Sequence, residues 1–175
     1  MKKIVCFLLC TVCLFIFFGC NAQTTTKPEY ALIRIHIRAN SNQSDDQQVK
    51  LKVKESVTAL LSTALDGVTN FDEAYGLIKE NLNNVETSAN ETLKENGFSY
   101  KSSARLTQEF FPTRAYEEIV IESGYYDALI VSLGDGKGDN WWCVIYPPLC
   151  FVGKDNGGGF KYKSLIVSLW KKFTS

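Results

Sequence analysis

Cys143 and His36, the single histidine, carry the side chains that could form a nucleophilic pair. A thiol activated by a neighbouring imidazole attacks acyl groups, so this pair would indicate an exported thiol hydrolase. The spacing of the two residues is not typical of any such pair, and Cys143 has a nearer partner in Cys150. Because an oxidised cysteine is not a nucleophile, the sequence favours a protein that is not an enzyme, with the thiol hydrolase as the alternative.

Five of the six cysteines fall into two groups, and Cys20 follows the apolar N-terminal run. Of the six in the chain, Cys6, Cys10 and Cys13 lie in an apolar N-terminal run and leave with it if the run is cleaved. Cys143 and Cys150 flank Tyr-Pro-Pro-Leu, and outside the cytoplasm such a pair predicts a disulfide across the loop. Two buried thiols are the alternative.

Three glycines fall within the five residues Gly134 to Gly138, next to Lys137. A phosphate-binding loop would need Gly-Lys followed by Ser or Thr and a helix, whereas Gly138 and strand-like residues follow here. We therefore predict a hairpin turn between Leu133 and Trp141 and no nucleotide cofactor. One histidine and a C-x6-C pair also fail to match the ligand spacing of structural zinc sites, so no metal site is expected.

Composition limits the classes of partner. The chain has 175 residues, 45% of them hydrophobic and 22% charged, which suits one domain with a proper core. Nineteen basic residues balance nineteen acidic ones, so the positive surface that nucleic-acid binding requires is absent from the composition. A nucleic-acid partner is not expected.

The N-terminus is typical of an export signal, because Lys2 and Lys3 precede an apolar run from Ile4 to Phe18. At about 1.5 Å per residue this run reaches roughly 22 Å, short of the ~30 Å hydrocarbon core, so cleavage is favoured over spanning. Residues 1–22 are either a signal peptide cleaved after Ala22 or a lipoprotein signal. In the second case Cys20 is acylated and the product is a lipid-anchored envelope structural protein. Residues 23–29 read as a linker.

Hydrophobic periodicity predicts the elements of one domain over residues 30–152. Alternating isoleucines predict a strand over residues 30–38, with one buried and one polar face. A capping box of Ser44 with Gln47 predicts the start of one helix, and Asn70 with Glu73 the start of a second. Extended patterns follow, and residues 153–175 read as a loop and a short C-terminal helix. The predicted class is α+β: an antiparallel sheet with a pair of helices packed on one face.

Trp141 and Trp142 are adjacent, so on a strand they point to opposite faces of the sheet. A tryptophan outside the core often anchors a protein interface. We predict that whichever of the two is exposed belongs to a recognition surface with Arg38, Asn40 and Arg114, which lie near strand ends.

Several blocks in order along the chain are similar to those of one family. They are Ile35-His36-Ile37-Arg38-Ala39-Asn40-Ser41, Asp46-Gln47, Lys50-Leu51-Lys52-Val53-Lys54, Phe111-Pro112-Thr113-Arg114-x-Tyr116, Gly124-x-Tyr126-x-Ala128-Leu129, Gly134-x-Gly136-Lys137-Gly138-x-Asn140-Trp141-Trp142-Cys143-Val144 and Pro147-Pro148-Leu149-Cys150-Phe151. With them the chain resembles the stage II sporulation protein R family, over residues of about 32 to 152.

The resemblance implies a secreted signalling protein of endospore-forming bacteria. Family members are exported from the forespore into the space between the two surrounding membranes. There they stimulate a membrane-embedded aspartic protease of the mother cell, which processes the precursor of sigma factor E. If Cys20 is acylated, such a signal stays tethered to the membrane.

Overall fold

The computed structural model describes residues 31–116 and 119–147. The elements in chain order are β1 (Ile33–Arg38), α1 (Ser44–Ala64), α2 (Phe71–Glu80), α3 (Leu82–Glu95), β2 (Ser102–Phe111), β3 (Arg114–Tyr116), β4 (Ile119–Ile121), β5 (Gly124–Leu133) and β6 (Asn140–Tyr146). The predicted α+β class is confirmed. The second predicted helix is two helices that meet at Asn81. The predicted signal segment, linker and C-terminal helix lie outside the described residues.

The main sheet has four strands in the order β2-β5-β1-β6, while β3 and β4 pair only with each other. β1 runs parallel to β5 and antiparallel to β6, and β2 runs antiparallel to β5. The sheet is therefore mostly antiparallel with one parallel pair at its centre. A parallel pair needs a long connection, and here the three helices lie within it.

The larger hydrophobic core lies between the helices and one face of the sheet. Ile33, Ile35 and Ile37 of β1 are completely buried there. Burial of one such side chain is worth about 1.5–3 kcal/mol, so this row is a major source of stability. The helices contribute a matching stripe: Val49, Val53, Val57 and Leu61 of α1, Ala74 and Ile78 of α2, and Val85, Ala89 and Leu93 of α3.

Two of the helix ends follow local rules, the start of α2 and the end of α3. Asn70 caps α2 as predicted, since its side-chain oxygen accepts a hydrogen bond from the Glu73 N–H at 2.8 Å. Gly97, with φ of +82°, ends α3 in a Schellman motif, because the Phe98 N–H bonds back to the Leu93 carbonyl at 3.0 Å.

The capping box predicted at Ser44 is wrong, although α1 does begin there. Ser44 is the first helical residue, the N-cap position is Gln43, and no side chain caps it. The Gln47 amide instead donates to the carbonyl of Ser41 at 2.9 Å. The turn before α1 is held instead by hydrogen bonds from the Asn40 and Ser41 side chains to the Asp46 carboxylate, in the first turn of the helix.

β1 is buried on both faces, contrary to the prediction of one polar face. Arg34 is 0% exposed and His36 is 5% exposed. β1 is a central strand, so the side chains of β5 and β6 flank its residues on both faces of the sheet. A second apolar cluster that includes Phe111 and Tyr126 covers the side of the sheet away from the helices.

The hairpin predicted between Leu133 and Trp141 is also wrong. β5 ends at Leu133 and β6 begins at Asn140, but β1 lies between these two strands in the sheet. The glycine-rich loop of residues 134–139 therefore crosses over the end of β1. A strand from far away in the sequence occupies the place that a hairpin partner would take, and local turn chemistry carries no information about that insertion.

Candidate functional site

Three segments meet at the C-terminal end of β1: residues 39–42, the first turn of α1 and the loop 134–139. We call this meeting point the β1 corner. Its centre is Asp46, whose carboxylate accepts hydrogen bonds from the Asn40 amide at 2.9 Å, the Ser41 hydroxyl at 2.5 Å and the Tyr100 hydroxyl at 2.6 Å. Burial alone would raise the pKa of Asp46, but these hydrogen bonds outweigh it and hold the pKa below the ordinary value.

The loop 134–139 is bound to the β1 corner through its backbone. The Asn40 side-chain oxygen accepts from the N–H of Asp135 at 2.9 Å, and the Asn40 carbonyl accepts from the N–H of Lys137 at 3.2 Å. The Ala39 carbonyl accepts from the N–H of Gly138 at 2.9 Å. Both ends of the Asn40 side-chain amide are therefore engaged inside the protein.

Two positions of this loop have no room for a Cβ, which explains why they are glycines. Gly134 has φ of +55°, and a Cβ there would collide with the Asn40 side chain. A Cβ at Gly138 would collide with the backbone carbonyl of Ser41. Close packing against residues 40 and 41 therefore explains the glycines at positions 134 and 138.

Lys50 joins the same corner from α1. It is 6% exposed, and its ammonium donates to the Gln47 side chain at 2.6 Å and to the Asp139 carbonyl at 2.9 Å. Burial lowers the pKa of Lys50, and the Asp139 charge opposes that effect. The corner is thus a rigid connection between α1, β1 and β6.

We call the side of the sheet away from the helices the second face. It presents Arg34, His36 and Arg38 of β1, Arg105, Glu109 and Phe111 of β2, Tyr126, Ala128 and Ile130 of β5, and Trp142 and Val144 of β6. The hairpin of β3 and β4 packs against one end of this face through Tyr116 and Ile121.

Arg34 is a buried cation on the second face. Its Nη2 donates to the Tyr116 hydroxyl at 2.9 Å, and its guanidinium carbon lies 4.2 Å from the Phe111 ring centroid and 4.9 Å from that of Tyr126. The Nε and Nη1 atoms are buried and have no hydrogen-bond partner among the described residues. Burial lowers the pKa of Arg34, and the nearby charge of Arg114 adds to that effect.

His36 and Arg38 share one carboxylate. The Nδ1 atom of His36 lies 2.7 Å from Glu109 Oε1, and Arg38 Nη2 donates to the same oxygen at 2.5 Å. Burial lowers the pKa of His36 and outweighs the raising effect of Glu109. The pKa of Glu109 is also lowered, because the bonds from Arg38 and His36 outweigh its own burial.

Trp142 lies beside this cluster and is half-buried. The Arg114 guanidinium carbon is 4.0 Å from the Trp142 ring centroid, while His36 meets the same ring edge-on at 5.3 Å. The indole Nε1 of Trp142 is buried without a hydrogen-bond partner in the described part of the chain. Arg114 and Trp142, both predicted for recognition, are thus in direct contact.

Trp141 points the other way, which confirms that the two tryptophans face opposite sides of the sheet. It packs against the helix-side core, and the Lys54 ammonium lies 5.9 Å from its ring centroid. Trp141 is half-buried too, so neither tryptophan is fully exposed. The structure brings Arg38, Arg114 and Trp142 to the second face, and it places Asn40 and Trp141 elsewhere.

Cys143 and His36 lie on opposite faces of the sheet. Cys143 is opposite Ile35 in the β1–β6 register and belongs to the helix-side core, whereas His36 is opposite Trp142. A strand backbone separates the two side chains, so they form no nucleophilic pair. The predicted disulfide partner, Cys150, lies outside the described residues, and the pairing stays a prediction.

Within residues 31–116 and 119–147, no cluster of three or more His, Cys, Asp or Glu side chains is arranged to hold a metal ion. No helix in that same part of the chain is both long and apolar enough to span a membrane.

Sequence reasoning missed Arg34. It was assigned to a solvated strand face because charged residues are rarely buried. A signal was present, since Arg34, His36 and Arg38 place three basic groups in a row on one face of β1. Basic groups in a row need either water or hydrogen-bond acceptors around them. In the folded sheet, Arg34 and His36 are buried beside the second apolar cluster, so water is excluded from both.

A family model described as stage II sporulation protein R matches residues 29–156. A curated relative, the stage II sporulation protein R of Bacillus subtilis (strain 168), is 36% identical over 139 residues. The match spans 79% of this chain and 62% of the relative, so the chain covers less than two thirds of that relative's length. No solved structure matches this chain significantly.

Proposed function

The chain belongs to the stage II sporulation protein R family, and from this premise we propose that it is a secreted signalling protein of endospore formation. In this proposal it is exported from the forespore into the intermembrane space. There it activates a membrane-embedded aspartic protease of the mother cell, which processes the precursor of sigma factor E. The role in sporulation follows from the family, and the export, the protease and its substrate are the proposed part.

One observation carries the proposal: the blocks shared with the family converge on β1 and build a rigid surface. Residues 39–41 and 134–138 lock together at the β1 corner. Arg114 and Trp142, from two further blocks, stack on each other on the second face. An arrangement of fixed cations and aromatic rings suits a protein that acts by being recognised, because such groups dominate binding energy at interfaces.

The thiol hydrolase has no support from the geometry, since the sheet separates Cys143 from His36. A second alternative, a lipid-anchored envelope structural protein, depends on Cys20, which lies outside the described residues. Mass spectrometry of the exported protein distinguishes the cases. An acylated Cys20 supports the anchor, and a mature N-terminus at Gln23 contradicts it.

Deletion of the gene tests the proposed function. We expect the sigma factor E precursor to stay uncleaved in the deletion strain, and cleavage to return when the gene is expressed in the forespore. Normal precursor processing in a deletion strain without a second copy of the gene would refute the proposal.

A further inference from the structure

One edge of the main sheet is covered over only half of its length. β2 is an outermost strand, and its register with β5 continues without a shift from Ser102 to Phe111. Side chains of α3 cover the first half of its free edge. The Asn90 side-chain oxygen accepts from the Ser102 N–H at 2.7 Å, and a carboxylate oxygen of Glu86 accepts from the Ala104 N–H at 2.6 Å.

The second half of the same edge is open. The backbone groups that point away from a neighbouring strand recur at every second residue. Because the Ala104 N–H points outward, so do those of the next three even-numbered residues, Leu106, Gln108 and Phe110. Within the described residues, none of these three N–H groups has an acceptor. We call residues 106–110 the open edge. It contains no lysine, proline or bulge, the features with which proteins usually block strand addition.

Exposed aromatic side chains accompany the open edge. Phe110 is 54% exposed and Tyr125, which faces it on β5, is 50% exposed, with the two ring centroids 5.6 Å apart. Neither ring belongs to the helix-side core, although Leu106, on the same side of β2, packs against that core. Single exposed apolar residues are ordinary, but a pair beside unpaired backbone groups is typical of a place where another strand adds to a sheet.

The open edge is symmetric about Gln108. It ends on one side at Ala104, whose N–H is already bonded to α3, and on the other at Pro112, which has no N–H. A second copy can pair antiparallel with a two-fold axis at Gln108. Leu106 of each copy then faces Phe110 of the other, and Ala104 faces Pro112. The positions that cannot pair therefore meet each other, and every open position finds a partner.

The charges along the open edge also fit a second copy. Arg105 and Glu109 flank Thr107 on the second face, and Asp127 lies opposite Gln108 on β5. No like charges face each other across the two-fold axis, because Thr107 faces Glu109 of the second copy. Arg105, with a side chain 52% exposed and 4.0 Å from its own Glu109, lies diagonally across from that second carboxylate. The strand is thus complementary to itself.

We infer that the chain forms a two-fold dimer in which the open edge of β2 pairs antiparallel with the open edge of a second copy. The two four-stranded sheets join into one, and Phe110 packs against Leu106 of the other copy. Contacts that are complementary to themselves are what a two-fold interface requires. Few residues take part, so the association is reversible and in the micromolar range. The inference goes beyond the proposed function and does not depend on it.

Hydrogen exchange of the backbone amides tests the pairing directly. The purified exported chain is compared by nuclear magnetic resonance at low and high concentration. The amides of Gln108 and Phe110 should exchange about fivefold or more slowly at high concentration, whereas those of Thr107 and Glu109, directed at β5, should be protected equally at both. Sedimentation velocity should show monomer converting to dimer over the same range. A chain that stays monomeric up to about 1 mM overturns the inference.

Charge variants at Gln108 separate self-pairing from other contacts. Gln108→Lys places like charges opposite each other at the two-fold axis and should weaken dimerisation about fivefold or more, as should Gln108→Glu. An equimolar mixture of the two variants should dimerise as well as the wild type, because opposite charges then meet. Ser103→Lys adds the same charge to the same strand outside the open edge, and this control should weaken dimerisation about twofold or less.

The position of Gln108 is exposed, so the variants should fold, and circular dichroism checks this. A dimer that Gln108→Lys leaves unchanged, or a mixture of the two variants that stays monomeric, overturns the inference. Another occupant is an outcome of the exchange experiment. If the amides of Gln108 and Phe110 are already protected at concentrations where the chain is monomeric, another segment of the same chain covers the open edge and the dimer assignment is wrong.

Discussion

The side-chain oxygen of Asn40 accepts a hydrogen bond from the backbone N–H of Asp135 at 2.9 Å, across 95 positions of the chain. This contact joins the turn after β1 to the glycine-rich loop before β6. It shows that two conspicuous motifs of the sequence are halves of one structure. Gly134 and Gly138 allow the two segments to pack this closely, and the rigid corner that results fixes β6, which carries Trp142 on the second face.

The glycine at position 138 should not tolerate a side chain. Gly138→Ala places a Cβ against the Ser41 carbonyl and should lower the free energy of unfolding by about 1–3 kcal/mol. Gly76→Ala is the matched control, because a Cβ at that helical position has nothing within 4 Å and should stabilise by up to about 1 kcal/mol. Urea denaturation measures both. A Gly138→Ala variant as stable as the wild type would show that the loop does not dock.

Stability should depend on pH through Asp46. Its pKa in the folded protein is lowered, so its contribution is present above the ordinary value of 3.8 and is lost as pH falls through the folded pKa. Asp46→Asn should therefore lower the free energy of unfolding by about 2–3 kcal/mol at pH 7, with a smaller difference below pH 3.8. Thermal denaturation across pH checks this, and Asp45→Asn, at an exposed position of the same helical turn, is the control and should change the free energy of unfolding at pH 7 by about 0.5 kcal/mol or less.

The two tryptophans should differ in signalling. Trp142→Phe keeps a ring beside Arg114 but removes the indole N–H, whereas Trp141→Phe changes a side chain that packs on the helix-side core. We expect both variants to fold, and only Trp142→Phe to reduce precursor cleavage. Circular dichroism of the purified proteins and immunoblots of the precursor measure these outcomes. If Trp141→Phe is the defective variant, the recognition surface lies on the other side of β6.

The pair Cys143 and Cys150 should be oxidised in the exported protein. Intact mass before and after reduction checks the bond, with free thiols counted by alkylation. In the chain-entropy model, closure of so short a loop contributes about 2.5 kcal/mol, so the Cys143→Ser and Cys150→Ser double variant should be less stable by about that amount. Two alkylated cysteines in the unreduced protein would contradict the disulfide.

Local patterns predicted the parts of the fold that depend on neighbours in the sequence. The alternating isoleucines of β1 gave a strand, the stripe of α1 gave a helix, and the order of Trp141 and Trp142 gave two faces. These predictions succeed because periods of 2 and 3.6 residues directly reflect which side of an element is buried.

Strand order was beyond such patterns. The insertion of β1 between β5 and β6 pairs residues about a hundred positions apart, and it changes both the meaning of the glycine-rich loop and the burial of Arg34. Arginine is typical of exposed positions, so the residue type alone predicted that the Arg34 side chain is exposed to solvent. The candidate site was therefore predicted in part. Arg38, Arg114 and Trp142 do meet on one face of the sheet, but the burial of Arg34 depends on the strand order, which sequence patterns do not reveal.

Reconstitution outside sporulation tests the central claim most directly. Growing cells would express the exported chain together with the membrane-embedded aspartic protease and the sigma factor E precursor, and immunoblots would measure the cleaved fraction. The account predicts cleavage only when the chain is exported alongside the protease. Cleavage at the same level without the chain would contradict the claim that this protein is the activating signal.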